Sequence, residues 1–379
     1  MDRLYIHMQP DWPRFRWDEA ALTPRLSAVR HAQGRLLGRL EMLGFPLRKE
    51  ADLAVMTAEI MKTSAIEGER LDQGQVRSSL ARRLGIDIGR ITPASRAVEG
   101  IVELMLDATR NFDRPLTSDR LFGWHAALFP TGRSGLRKIT AGAWRTPEAG
   151  PMQVVSGPPG WERVHFEAPE ADRLSGEMTA FLEWFNAPPA TDPVLKAALA
   201  HVWFVTLHPF EDGNGRIARA IAELALTRSD GIPQRFYSMS AQIEAEREAY
   251  YTILEQTQKG DLNITRWLSW FIECLDRSLK RAEDTLSAVL RKERVWRRVS
   301  EFEINDRQRK VINRLLDGFE GHLTSSKYAK LTRCSSDTAV RDIRELLAHG
   351  VLLRNPGGGR SVSYRLAENT PPPSRTSPS

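Results

Sequence analysis

The stretch His208-Pro-Phe-Glu-Asp-Gly-Asn-Gly-Arg-Ile-Ala-Arg219 lies between two apolar helical runs, 197 to 207 and 217 to 226. Gly213, Asn214 and Gly215 can turn consecutive backbone N–H groups outward at the start of the second helix. Free donors and the helix dipole together favour an anion there. Arg216 and Arg219 fall one turn apart at that helix start, where two guanidinium groups can clamp phosphate oxygens. Asp212 beside them is a hard ligand suited to Mg²⁺, which usually binds through one or two carboxylates plus phosphate. His208, with an ordinary pKa of about 6.5, can take a proton from an incoming hydroxyl at neutral pH. A base, a metal carboxylate, an anion nest and two arginines within 12 residues spell nucleotide phosphate chemistry. A lone Gly-Asn-Gly would read only as a tight corner between helices; the fixed spacing of His208, Asp212 and both arginines separates this stretch from one. The Walker-type phosphate loop, G-x-x-x-x-G-K-[S/T], does not occur. His201, seven residues before His208, has no His or Cys cluster to join and reads as a packed or hydrogen-bonded helix histidine.

Around this stretch the pattern is mainly helical. Leu22, Leu26, Val29, Leu36, Leu40 and Leu43 recur near three- and four-residue spacing. Gly44-Phe-Pro46 breaks that pattern, and a second helix is expected from about Glu50 to Ile66, with Gly68 as a left-handed cap. Further helices are expected near 95–110, 117–128, 170–186, 193–207, 215–228, 241–258 and 263–295, the last long and increasingly basic. Residues 1–18 read as an irregular arm pinned by Trp12 and Trp17. The exception is 143–169, where Met152–Val155 and Arg163–Phe166 flank Gly157-Pro-Pro-Gly160 and predict a β-hairpin. From 305 to 366 three short helices precede Val351-Leu-Leu-Arg354 and Ser361–Leu366, which flank Gly357-Gly-Gly359; this is the pattern of a winged helix-turn-helix. The Pro- and Ser-rich end, 371–379, cannot bury a core and is expected to be disordered.

Composition bounds the reading. With 379 residues, 41% hydrophobic and 27% charged, the chain is neither wholly disordered nor fibrous, and its length suits two or three domains. No run approaches the roughly 18 apolar residues of a membrane span, and the start lacks the basic-then-apolar order of a signal peptide. Cys274 and Cys334 are too few for a disulfide framework or a cysteine zinc site. The expectation is a cytoplasmic protein without membrane contact. The charge is uneven: 291–366 holds 17 Lys and Arg against 9 Asp and Glu, an excess larger than the chain's net +6, so residues 1–290 sum to −2. That local excess is what binding to a polyanion needs, and a solvated basic surface would show the same numbers.

The 208–219 stretch resembles the signature of the Fic family, H-x-F-x-[D/E]-G-N-G-R-x-x-R, at every fixed position. The resemblance implies a protein adenylyltransferase, which transfers AMP from ATP to a Ser, Thr or Tyr hydroxyl of a target protein, itself included, with Mg²⁺. His208 would be the catalytic base and Asp212 the metal ligand. Gly213, Asn214, Gly215 and Arg216 would hold the phosphates, and Arg219 the γ-phosphate. Thr63-Ser-Ala-Ile-Glu67-Gly68 resembles the family's inhibitory motif, [S/T]-x-x-x-E-[G/N]; Glu67 would pair with Arg219, with Thr63 and Gly68 completing the motif. A carboxylate there would take the γ-phosphate's place and misalign ATP, removing the in-line geometry on which catalysis depends.

The hairpin resembles the family's flap, whose edge can hold a target segment as an added strand; Ser156 and Gly157 in it are expected at the nucleotide. An ordinary surface hairpin has the same sequence pattern. Tyr250, Tyr251 and Gln258 would receive the base and ribose, although tyrosines at helical spacing are more commonly core residues. In the C-terminal module, 335–347 would be the recognition helix with Thr338, Arg341 and Arg344 partly outward, and Arg354 and Arg360 would flank the wing. Charge and fold permit DNA contact there, and winged modules serve equally for protein docking or dimerisation. Family habit implies a homodimer. The expected fold is therefore mainly α: a Fic-type helical core with a β-hairpin flap and a C-terminal winged helix-turn-helix. Its parts would be an inhibitory helical segment (1–92), the catalytic core (93–295), the winged module (300–367) and the tail (368–379). The rival readings are a DNA-binding regulator with a non-catalytic, nucleotide-sensing core, and a related enzyme that removes AMP or moves another phosphate-linked group.

Overall fold

The computed structural model of the chain describes residues 5–41, 44–89, 91–157, 161, 163–316, 319, 321–356 and 362–367. Its tertiary contacts divide the chain into two units, Met1–Ala282 and Glu283–Ser379. The first is built around α7 (Pro193–Leu207) and α8 (Asn214–Asp230), the two helices joined by the signature stretch. Asp192 caps α7 by accepting from the Val194 amide, and Pro193 occupies the first turn, where its missing N–H costs nothing. Nearly every α7 side chain from Val194 to Leu207 is buried, which is why this helix is apolar all round.

The other helices wrap this pair. They are α1 (Glu19–Glu41), α2 (Phe45–Ile66), α3 (Gln73–Leu84), α4 (Arg96–Arg110), α5 (Ser118–Leu128), α6 (Leu174–Asn186), α9 (Met239–Ala245), α10 (Arg247–Gln258) and the first part of α11 (Thr265–Val299). Helix α2 packs on α9, α3, α4 and α8, which brings its C-terminal end to the start of α8. Two antiparallel strand pairs interrupt the helices. The short pair is β1 (Arg133–Ser134) with β2 (Arg137–Lys138); the longer is β3 (Gln153–Ser156) with β4 (Arg163–Glu167).

Several sequence expectations change. Phe45 begins α2 with Pro46 in its first turn, so the proline that looked like a breaker opens the helix five residues earlier than expected. The segment 241–258 is two helices rather than one. They part at Glu246, whose carboxylate accepts both Arg277 Nε (2.5 Å) and Nη2 (2.6 Å). Helix α3 and the β1–β2 pair lay outside the expectation. In α3 the apolar face is thin, with Ser78 and Ser79 buried beside Val76 and Leu80, so periodicity gave little signal; the Asp72 cap and the left-handed Gly85 mark its ends. Of the two expected tryptophans, Trp12 holds the N-terminal arm together with Phe15: both pack edge-on to Trp203 of α7, and Trp12 Nε1 donates to Glu177 (2.9 Å).

In the second unit, α12 (Asp306–Leu316), α13 (Ser325–Thr332) and α14 (Ser336–Ala348) precede β5 (Leu352–Arg354), which pairs antiparallel with β6 (Tyr364–Leu366). Val311, Ile312, Tyr328, Ile343, Leu346 and Leu352 form its core. Ser335 caps α14 by accepting from Thr338 N (3.2 Å), and Asp342 accepts from Arg307 (2.8 Å) and the Tyr328 hydroxyl (3.0 Å). Arg341, Arg344 and Arg354 are exposed and Thr338 is half-buried. The expected glycine turn at 357–359, Arg360 and the tail from 368 lie outside the described residues. No helix among the described residues is long and apolar enough to cross a membrane.

Candidate active site

His208 ends α7 in a left-handed conformation (φ 48°), which turns the chain sharply and leaves its side chain beside the loop. Its Nδ1 lies 3.0 Å from the Val205 carbonyl, an acceptor only, so Nδ1 carries the ring proton and Nε2 has the free lone pair. Burial holds the His208 pKa below the ordinary histidine range, so that lone pair is available at neutral pH. Buried Arg145 fixes the backbone here. Its amide donates to Pro209 O and its Nε to His208 O, both at 2.9 Å, and its Nη2 donates to Pro169 O. Burial lowers the Arg145 pKa to about 10, which still leaves it cationic.

Asn214 locks the loop from inside: its Nδ2 donates to Phe210 O (2.7 Å) and its Oδ1 accepts from Phe210 N (2.9 Å). His125 supports it from below. The Gly142 amide donates to His125 Nδ1 (3.0 Å), so Nε2 carries the proton and donates to Asp212 O (3.2 Å). Gly213 (φ 79°) then starts α8, and no side chain caps the helix. The amides of its first turn are therefore the donors of an uncapped N-terminus. The Asp212 carboxylate accepts from Gly213 N (2.6 Å) and from the Ser134 hydroxyl, both neutral donors. Among the described residues no three His, Cys, Asp or Glu side chains converge. A magnesium ion that shares phosphate oxygens needs only one such carboxylate, and Asp212 fits it.

The arginines are occupied from α2. Arg219 is almost fully buried; its Nε donates to Thr63 Oγ1 (2.7 Å) and its Nη2 to Thr63 O (2.9 Å) and Glu67 Oε1 (2.7 Å). Among the described residues its Nη1 is buried without a hydrogen-bond partner, a charged donor fit for an anion. Arg216 pairs with Glu69 (2.7 Å) and lies over the Phe129 ring. A left-handed Gly68 (φ 83°) lets the chain after α2 carry Glu67 and Glu69 to these two arginines. The approach is close: a Cβ on Gly215 would stand 2.1 Å from Glu67 Oε1. Only glycine leaves room for the carboxylate over the first turn of α8.

The remaining expected residues divide. Tyr251 donates to Ile66 O (3.2 Å), next to Glu67. Tyr250 is buried with its hydroxyl 3.0 Å from His201 Nε2, and it lies close enough to Arg219 and Glu67 to interact electrostatically with both. Gln258 is buried and donates to Thr206 Oγ1 (3.4 Å). Ser156 and Gly157 stand at the end of β3, and the Ser156 hydroxyl bonds His165 Nε2 at 2.6 Å. Glu69, Arg145, His125 and Ser134 were not expected. Glu69 sits one residue beyond the six-residue motif, and the other three are isolated residues whose partners lie far along the chain.

Residues 115–226 match the Fic/DOC family, and residues 5–86 match a family described only as a domain of unknown function, DUF4172. The chain is 27% identical over 250 residues to a Caenorhabditis elegans protein named protein adenylyltransferase fic-1, covering 64% of this chain and 46% of that one. With the Caenorhabditis briggsae protein of the same name it is 28% identical over 205 residues, covering 54% and 37%. The chain thus spans less than half the length of these relatives. A crystal structure of a Fic family protein from Desulfovibrio desulfuricans superposes with a TM-score of 0.51 over 93% of this chain and 97% of that one, at 20% identity, a likeness of fold alone. Residues 115–226 are therefore a Fic/DOC-family domain within a mainly helical chain.

Proposed function

We propose that the chain is a protein adenylyltransferase that uses ATP and is held at low activity by Glu67. The observation that carries this reading is the Glu67–Arg219 ion pair (2.7 Å) lying over Gly215 at the uncapped start of α8. An acceptor carboxylate already stands where an anionic phosphate would meet free amides and a buried guanidinium. With Glu67 withdrawn, Arg219, Arg216 and the α8 amides hold the triphosphate. His208 Nε2 takes the proton as a target Ser, Thr or Tyr hydroxyl attacks the α-phosphorus, and pyrophosphate leaves. Asp212 would hold Mg²⁺, which when bound neutralises phosphate charge. Tyr251 would border the nucleotide beside Ile66.

The target would add as a strand to the β3–β4 hairpin, a flap tied to His208 through Arg145. The second unit is read as a winged helix-turn-helix whose exposed Arg341, Arg344 and Arg354 suit DNA phosphates, and a homodimer is the assembly proposed.

The test is transfer from ATP labelled at the α-phosphate, with Mg²⁺, by wild type and Glu67→Gly. Label on protein should rise at least about tenfold in the variant, the effect of about 1.4 kcal/mol. No label on any protein from either form would end the reading.

A further inference from the structure

The two acids of the signature loop, Glu211 and Asp212, are gripped from outside by the β1–β2 hairpin. Ser134 and Arg137 face each other in its register, joined by Gly135 and Leu136, and Gly135 takes the left-handed corner (φ 55°) that the turn needs. Buried Ile139 donates its amide to Gly132 O (3.0 Å) and closes the hairpin at its base. Arg137 Nη2 donates to Glu211 O (3.0 Å) and stands 3.6 Å from the Glu211 carboxylate, whose Oε1 accepts from Thr140 N (3.1 Å). The Ser134 hydroxyl donates to Asp212 Oδ2.

These contacts treat the two acids differently. Glu211 lies against a guanidinium, whereas Asp212 forms no ion pair among the described residues. Its Oδ1 accepts from Gly213 N (2.6 Å) and its Oδ2 from Ser134, both neutral donors. A neutral donor fixes the direction of a carboxylate and leaves its charge in place; a cationic donor would cancel the charge that a metal ion needs. An ionised carboxylate offers about four lone-pair positions, so these two bonds leave room for a cation. The Gly213 bond is local to the loop. Ser134, 78 residues away in the chain, ties the carboxylate to a separate element.

We propose that Ser134 is a positioning residue for the metal site: its hydroxyl holds the Asp212 carboxylate in the direction in which it takes Mg²⁺. The proposal rests on the adenylyltransferase reading, in which Asp212 is the metal ligand, and adds the residue that aims it. Partners that orient a ligating side chain are worth about 10–100-fold in metal affinity.

The experiment uses the full chain carrying Glu67→Gly and an ATP analogue with a methylene bridge between its α- and β-phosphorus atoms, which binds without transfer. Calorimetry measures its affinity with EDTA and with saturating Mg²⁺, and the ratio is the gain that the metal brings. Adding Ser134→Ala should cut that gain about tenfold. Metal-free affinity and thermal melting should match the parent, which a general loosening of the loop would not allow. Ser134→Thr keeps the hydroxyl and should keep the gain within about twofold of the parent's. In a chain that also carries Asp212→Ala, Ser134→Ala should have no further effect, because the carboxylate it aims is gone. An unchanged gain in Ser134→Ala, an equal fall in metal-free affinity, or a loss that persists without Asp212 overturns the inference and leaves the proposed function standing. A parent that binds the analogue equally well with and without Mg²⁺ overturns the metal reading of Asp212 together with the role of Ser134. No binding under either condition overturns the adenylyltransferase reading as well.

Discussion

Glu69 holds Arg216 through a 2.7 Å ion pair, one turn of α8 from the 2.7 Å pair between Glu67 and Arg219. Both guanidinium groups that would meet phosphate are thus held by the same short segment after α2. The Glu69 side chain is 39% exposed, so solvent screens its pair with Arg216. A pair of that kind is worth roughly 0.5 kcal/mol. Glu69→Ala alone should leave transfer at the wild-type level, because Glu67 still covers Gly215. In a Glu67→Gly background it should strengthen ATP binding about twofold, measured by calorimetry with Mg²⁺. Weaker binding in the double variant would mean that Glu69 positions Arg216 for the nucleotide instead of withholding it.

The legible part of the molecule was the part whose chemistry is contiguous in the chain. The α7–loop–α8 unit could be read because its all-apolar first helix and its spaced polar residues lie within one stretch. The occupants of the arginines divide on this point. Glu67 falls within a six-residue pattern, whereas Glu69 is 147 residues from Arg216 and only the packing of α2 on α8 joins them. The break at Glu246 was likewise invisible, because the Arg277 that binds its carboxylate lies 31 residues on, across a second helix. Tyr250 and Tyr251 are neighbours of the same type with different partners, one fully buried between His201 and Arg219 and one bonded to Ile66. Adjacent helix positions point about 100° apart, and only the packed structure says which faces the pocket.

His208 should be required for transfer to other proteins and not for holding ATP. Its Nδ1 is engaged by Val205 and its Nε2 is the free base. In the Glu67→Gly background, His208→Ala should cut label transferred to proteins of a cell lysate by about a hundredfold or more. ATP affinity should stay within about twofold. A matching fall in affinity would show that the imidazole binds substrate.

The pH dependence follows from the same residue. Burial lowers the His208 pKa and Arg145 acts in the same direction, while the Val205 carbonyl, Glu67 and Asp212 oppose them without reversing the shift. The active form is unprotonated, so transfer by Glu67→Gly should rise with pH through a midpoint below the ordinary histidine value of about 6.5 and be level above it. A midpoint above that value, from initial rates at constant ionic strength, would contradict the buried-base geometry.

Thr63 should matter to stability as well as to the latch. Its hydroxyl oxygen accepts from Arg219 Nε and its carbonyl from Nη2, with Thr63 fully buried. Thr63→Ala leaves a buried charged donor without its partner, at a cost of about 1–3 kcal/mol. Calorimetric melting should drop by a few degrees, at about 2–4 °C per kcal/mol for a unit of this size. Thr63→Ser keeps the acceptor and should melt close to wild type.

Gly215→Ala separates opening the latch from building a working pocket. The added Cβ would lie 2.1 Å from Glu67 Oε1, and 3.3 Å from Arg219 Nη1. The clash is with the end of a flexible side chain, so the carboxylate can swing away and the fold survives; melting should shift by less than about 1 kcal/mol of stability. The same methyl then stands over the first turn of α8, where the phosphates need to approach bare backbone. Gly215→Ala should therefore weaken the Glu67–Arg219 pair without raising AMP transfer, and Gly215→Ala with Glu67→Gly should transfer less than Glu67→Gly alone. If the alanine variant proved as active as Glu67→Gly, the triphosphate would have to lie elsewhere than across Gly215.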